Sequence, residues 1–131
     1  MTSNNTGKEI HMILNKESII NAVDIKAIEV DVPEWGGNVL VKPLSVGDRD
    51  EFTAWVTDNE GKINARDFMT KLVLISLVDK SSNRLFTNDE LSVLSKKSAK
   101  VIERLFKQIQ EVSGLGEEAL QEAKKTLKNK K

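Results

Sequence analysis

The side chains able to do chemistry are few. His11 is the single histidine of 131 residues, and cysteine and tyrosine are absent. A histidine-based triad, a two-histidine metal site, thiolate chemistry and a disulfide framework are therefore excluded by count. A chain without cysteine is also compatible with a reducing cytoplasm. Carboxylates could work as an acid–base pair, and Asp48, Asp50 and Glu51 lie close together. They fall in the first turns of a predicted helix, where matching the positive end of the helix dipole is the simpler role. Gly36-Gly37 is not followed by the Lys-Ser/Thr of a phosphate loop, so it reads as a turn. Residues 79–83 lack the ligand ladder and closing Glu of a calcium loop. The expectation is a protein that is not an enzyme and needs no cofactor or metal.

Charge and hydropathy exclude further classes. Lys plus Arg and Asp plus Glu number 20 each, so the net charge of zero predicts no nucleic-acid or anionic-membrane partner. The lysines at 124, 125, 128, 130 and 131 could touch phosphates, but no aromatic residue is interleaved and acidic residues lie one turn away. A solvated helix end fits that pattern better than a nucleic-acid arm. The longest apolar run, residues 72–78, is interrupted by Ser76 and falls far short of the roughly 20 residues a membrane span needs. The N-terminus lacks the order of a secretory signal, so a soluble protein that stays where it is made is expected.

The large apolar side chains are left to carry function, and the elements that position them are legible. Ile28, Val30 and Val32 alternate with Ala27, Glu29 and Asp31, the period of a half-buried strand. Val39-Leu40-Val41 follows and ends before Pro43, and the two glycines between offer the positive φ of a tight reversal. Residues 26–44 thus predict a β-hairpin with Trp35 at its tip. A lone hairpin is marginal in water and must lie on something. Trp35 there is either a lid on the helices or an exposed anchor for a partner.

Helical signals surround it. Residues 1–7 are small and polar and predict a mobile tail, taken to about residue 12. Ile13, Leu14, Ile19, Ile20 and Val23 suit a short helix over 16–22. Ser45 and Asp48 form a capping box before a helix whose Phe52, Trp55 and Val56 share one face. Residues 58–62 make a turn, and Asn64 with Asp67 can cap the next helix. That helix is apolar on nearly every side through Leu72, Val73, Ile75 and Leu77, as expected of a central element; a buried strand over 72–78 fits the same run. Thr87 and Glu90 form a second capping box, stapled by Phe86 and Leu91. From Ser98 onward, Val101, Ile102, Leu105, Phe106, Ile109 and Val112 form a stripe at helical spacing, closed by Gly114. Residues 116–131 run from glutamates to lysines and favour a helix with a thin apolar face. The fold class is therefore α+β, an N-terminal β-hairpin packed on a bundle of about four to five helices. One domain spans 13–115, with a charged and loosely attached helix after it.

The order of these motifs resembles a known family. Val30-Asp31-Val32-Pro33-Glu34-Trp35-Gly36-Gly37, then Val39-Leu40-Val41-Lys42-Pro43-Leu44 and Gly47-Asp48-Arg49-Asp50-Glu51-Phe52, look like the opening of tail assembly chaperones from long-tailed, siphovirus-type bacteriophages and related prophage elements. Leu77-Val78-Asp79, Arg84-Leu85-Phe86-Thr87, Leu105-Phe106 and Ser113-Gly114-Leu115-Gly116-Glu117-Glu118 continue it in the same order, over about residues 24–123. The resemblance implies a non-enzymatic chaperone that binds the tape-measure protein, keeps it soluble and promotes tail-tube assembly around it. It implies action in the host cytoplasm and absence from the finished particle. In many members a ribosomal frameshift adds a domain that recruits the tube protein. The lysine-rich ending could be encoded by an adenine-rich slippery run, which would make this chain the short product. Self-association is left open, and the rival class is a head–tail connector or tail-completion protein built into the virion. Partner binding is expected at Trp35, Leu40, Leu85, Phe86, Leu105 and Phe106.

Overall fold

The computed structural model describes residues 12–114. The tail expected over 1–12 falls outside them except for Met12, and the helix expected over 116–131 falls outside them entirely. Within them the chain is α+β. A three-stranded antiparallel sheet lies against helices, in the order α1 (Lys16–Asn21), β1 (Ile28–Val32), β2 (Gly37–Val41), α2 (Val46–Val56), α3 (Phe68–Ser76), β3 (Leu77–Val78), α4 (Leu91–Ser95) and α5 (Ala99–Val112).

The hairpin closes through a single turn of 3-10 helix, Pro33–Trp35. Pro33 enters where its missing N–H costs nothing, and Gly36 leaves at φ 84, its N–H donating to the Pro33 carbonyl at 3.0 Å. Only Gly36 of the two glycines takes positive φ; Gly37 is already in the ladder opposite Val32. Space around both is open, so backbone strain alone separates them. Gly36→Ala is expected to cost about 1–2 kcal/mol, whereas Gly37→Ala should be neutral or stabilising by up to about 1 kcal/mol. Urea denaturation of the two variants checks this.

Register sorts the sheet into two faces. Val30 and Val32 from β1 and Val41 from β2 are buried toward the helices, and Glu29, Asp31, Asn38 and Leu40 point the other way. Behind the inner face α3 is the centre of the core: Leu72, Val73 and Leu74 are wholly buried. The aromatic rings of Phe52, Phe68 and Phe106 meet edge to face, at centroid distances of 5.1 and 5.9 Å, and so join α2, α3 and α5.

Both capping boxes form. The Ser45 hydroxyl accepts the Asp48 N–H at 3.0 Å, and the Glu90 carboxylate accepts the Thr87 N–H at 2.8 Å. Phe86 and Leu91, the expected staple, are half-buried against the core. The cap expected at Asn64 does not form. Asn64 is tied by its own N–H to the Val56 carbonyl beside the Thr57–Ile63 bridge, and its side chain closes a local turn onto the Arg66 N–H. Asp67 then turns through φ 59 and the helix begins at Phe68. The run 72–78 is helix up to Ser76 and strand after it. Leu77 and Val78 pair with Val41 and Leu40 on the open edge of β2, so the sheet gains a third strand that the hairpin alone did not foretell.

Candidate partner-binding surface

Two apolar surfaces lack intramolecular cover among the described residues. The first is an arm. Met12, Ile13, Leu14, Ile19, Ile20 and Val23 are all at least 59% exposed, Ile13 reaches 93%, and α1 buries no residue. The helix itself is well made, since the Asn15 side chain accepts the Ser18 N–H at 2.8 Å. No described residue buries this capped helix. Taking roughly 100–170 Å² for each of the six side chains, the arm offers on the order of 800 Å², one partner's share of a standard interface. It also exceeds the apolar patch an ordinary monomer shows.

The second surface is a groove of about 350 Å³ on the outer face of the sheet. Leu40, Val78 and Leu85 supply its apolar lining, with Glu29, Asp79 and Lys80 at the rim. Each wall is positioned by a local device. Leu85 donates its N–H to the Leu77 carbonyl at 3.1 Å, continuing the sheet edge past β3. The turn before it is closed by the Asp79 carboxylate, which accepts the N–H groups of Ser81 and Asn83 at 2.8 and 3.0 Å. Its neighbour Arg84 clamps it to α2, donating to both Glu51 oxygens at 3.0 and 2.9 Å and to Asp48 at 2.9 Å. The Arg84 hydrogen bond holds the Glu51 carboxyl below its usual range, and Glu51 in turn raises Arg84. Glu51, expected to match the helix dipole, and Asp48, expected to do so and to complete the Ser45 capping box, thus also hold the groove wall.

The six expected partner-binding residues divide. Leu40 and Leu85 come together in the groove, and Leu85 is 48% exposed. Trp35 and Phe86 are half-buried with the inner part of each ring against the core. Leu105 and Phe106, at 0% and 2% exposure, lie in the core against α3 and not on the surface. Helical periodicity shows that a stripe exists without showing whether protein or solvent faces it. The arm was missed for the converse reason. Its one available signal was the density of Ile13, Leu14, Ile19, Ile20 and Val23 around a helix too short to bury them all.

The hairpin tip is pinned as well. Arg104 on α5 donates to both oxygens of Glu34, one at 2.9 Å, and this hydrogen bond brings the Glu34 carboxyl down to about 2 from an ordinary value of 4.5. A carboxyl lowered in the folded state contributes stability above its unfolded pKa and loses it as pH falls through the folded one. The tip should therefore loosen between about pH 4.5 and 2. In a Trp55→Phe background, Trp35 fluorescence is expected to report that transition, and Arg104→Ala should abolish it.

No group of three or more metal-ligating side chains occurs among the described residues, and no helix among them is long and apolar enough to cross a membrane. Among the described residues, the arm and the groove offer apolar contact. Residues 16–126 match the family model of the phage tail assembly chaperone. The chain belongs to this family. The fold is similar to that of a solved structure, the tail assembly chaperone of bacteriophage HK97, with a TM-score of 0.52 and 22% identity over 67% of this chain and 85% of that one. No curated protein matches the chain. In this tail assembly chaperone the arm and the groove are the apolar surfaces that the described residues leave uncovered.

Proposed function

We propose that this chaperone is non-enzymatic, binds the tape-measure protein, keeps it soluble and promotes assembly of the tail tube around it, acting in the host cytoplasm and leaving before the tail is finished. Membership of the tail assembly chaperone family supports the class. The observation that carries the partner is the apolar arm at 12–23, which has no use inside the described fold. A long helical protein with apolar stripes is a partner such an arm fits, by packing apolar face on apolar face. Many copies along one chain would give avidity without any tight single contact. Leu40, Leu85 and the outer parts of Trp35 and Phe86 extend the surface. Recruitment of the tube protein falls to a frameshift-extended form, which requires a slippery heptamer and an overlapping frame in the gene.

Particle composition tests the reading. Purified tails should contain tape-measure and tube proteins and lack this chain. Its presence at fixed copy number would make it a structural connector instead.

A further inference from the structure

Strand β1 is the open edge of the sheet. β2 lies between β1 and β3, and the far side of β3 is taken by the segment after it, where Leu85 donates to Leu77 and Arg84 bridges to Val78. No backbone group among the described residues pairs with the far side of β1. We propose that this edge takes up an extended segment of another protein as a fourth strand, and that the segment it selects alternates basic with apolar residues.

The ladder fixes which groups are on offer. Residues along an antiparallel strand direct their N–H and C=O alternately to its two sides. The Lys42 N–H reaches the Ser76 carbonyl at 2.8 Å, so Lys42 and Leu40 face β3, while Val41, Val39 and Gly37 face β1. Their partners Ile28, Val30 and Val32 are thereby engaged. Glu29 and Asp31 face the other way, and each leaves one N–H and one C=O along the edge.

Charge names the occupant. The side chains of Glu29 and Asp31 are exposed, and neither is in an ion pair among the described residues. Glu29 accepts the neutral Asn38 side-chain amide at 2.7 Å, and Arg104, the cation felt at Asp31, spends its hydrogen bonds on Glu34. A strand added beside β1 sets its own side chains about 5 Å from these carboxylates, where Lys or Arg is favoured. Its intervening side chains fall on the inner face beside Ile28, which is half-buried, so they are apolar. A second copy of β1 fits badly. The antiparallel register that engages both outward residues sets Glu29 against Asp31 twice, and like charges directly opposed repel. Carboxylates on this edge thus suppress self-pairing and leave it to a basic strand. The occupant is independent of the tape-measure reading, because the arm takes a helical face and the edge an extended chain.

Amide hydrogen exchange, read residue by residue by NMR on the full chain, tests the proposal with a short capped peptide in which Lys and Val alternate. In the protein alone the amides of Glu29 and Asp31 should exchange fast, and those of Val30 and Val32 slowly. Saturating peptide should slow Glu29 and Asp31 at least about tenfold, whereas the same peptide with Glu in place of Lys should leave them fast. Glu29→Lys with Asp31→Lys should weaken the Lys peptide about tenfold and turn the preference to the Glu peptide. Asp31→Pro removes an outward N–H and spares the ladder, so it should weaken both. High salt should reduce the discrimination between the peptides. Unchanged exchange at Glu29 and Asp31, or an equal response to the two peptides, overturns the proposal. So does slowing that grows with protein concentration in the absence of peptide, which would give the edge to a second copy.

Discussion

Phe106→Ala is expected to lower the free energy of unfolding by about 3–5 kcal/mol, a large share of the roughly 5–15 kcal/mol a domain of this kind possesses. The ring is 2% exposed and lies edge to face with Phe68, which in turn contacts Phe52. Its removal therefore takes away one ring's burial and the aromatic link from α5 to α3, and it leaves a cavity in the core. Chemical denaturation should show a lower midpoint with little change in slope. Leu85→Ala, on a side chain half in solvent, should cost less than about 1 kcal/mol by the same measurement. The contrast separates two residues that share an apolar character and differ in what faces them.

The second large effect lies on the arm and should spare stability. Replacing Ile13, Ile19 and Ile20 together by Ser removes side chains that are mostly in solvent, so the free energy of unfolding should move by no more than about 0.5 kcal/mol. Each isoleucine buried against a partner is worth about 1.5–3 kcal/mol. Even half of that, lost at three positions, weakens binding on the order of 100-fold. Isothermal titration with a soluble tape-measure fragment reads the loss directly. Helix α1 keeps its Asn15 cap in this variant, so a change in binding reports the apolar contact rather than a melted helix.

What could be read in advance was whatever depends on near neighbours. The hairpin, both capping boxes and the stripe of α5 are set by residues within a few positions of each other, and each stands where expected. The features that escaped depend on distant partners. In the run 72–78, which fits helix and strand alike, Leu77 and Val78 become strand because β2, thirty-odd residues earlier, leaves an edge open, and no local pattern encodes that edge. Asn64, held to Val56 by its N–H, spends its side chain on the Arg66 N–H, and the helix starts only after Asp67. Partner binding is expected from sequence at Leu105 and Phe106, which are buried, and not at the exposed arm, for one common reason. An apolar residue records that it avoids water, and only the three-dimensional arrangement shows whether its own chain provides the cover. Family membership, by contrast, was legible, because motif order survives where burial cannot be inferred.

The central claim is that the apolar arm makes this tail assembly chaperone a keeper of its tape-measure protein, and co-expression tests it most directly. The measurement is the soluble yield of the tape-measure protein encoded downstream, with the wild-type chain and with the Ile13→Ser, Ile19→Ser, Ile20→Ser variant at equal expression. The wild type should raise soluble yield and co-purify with it, and the equally stable variant should do neither. A tape-measure protein that stays insoluble beside the wild type, or one that the variant rescues as well, would contradict it.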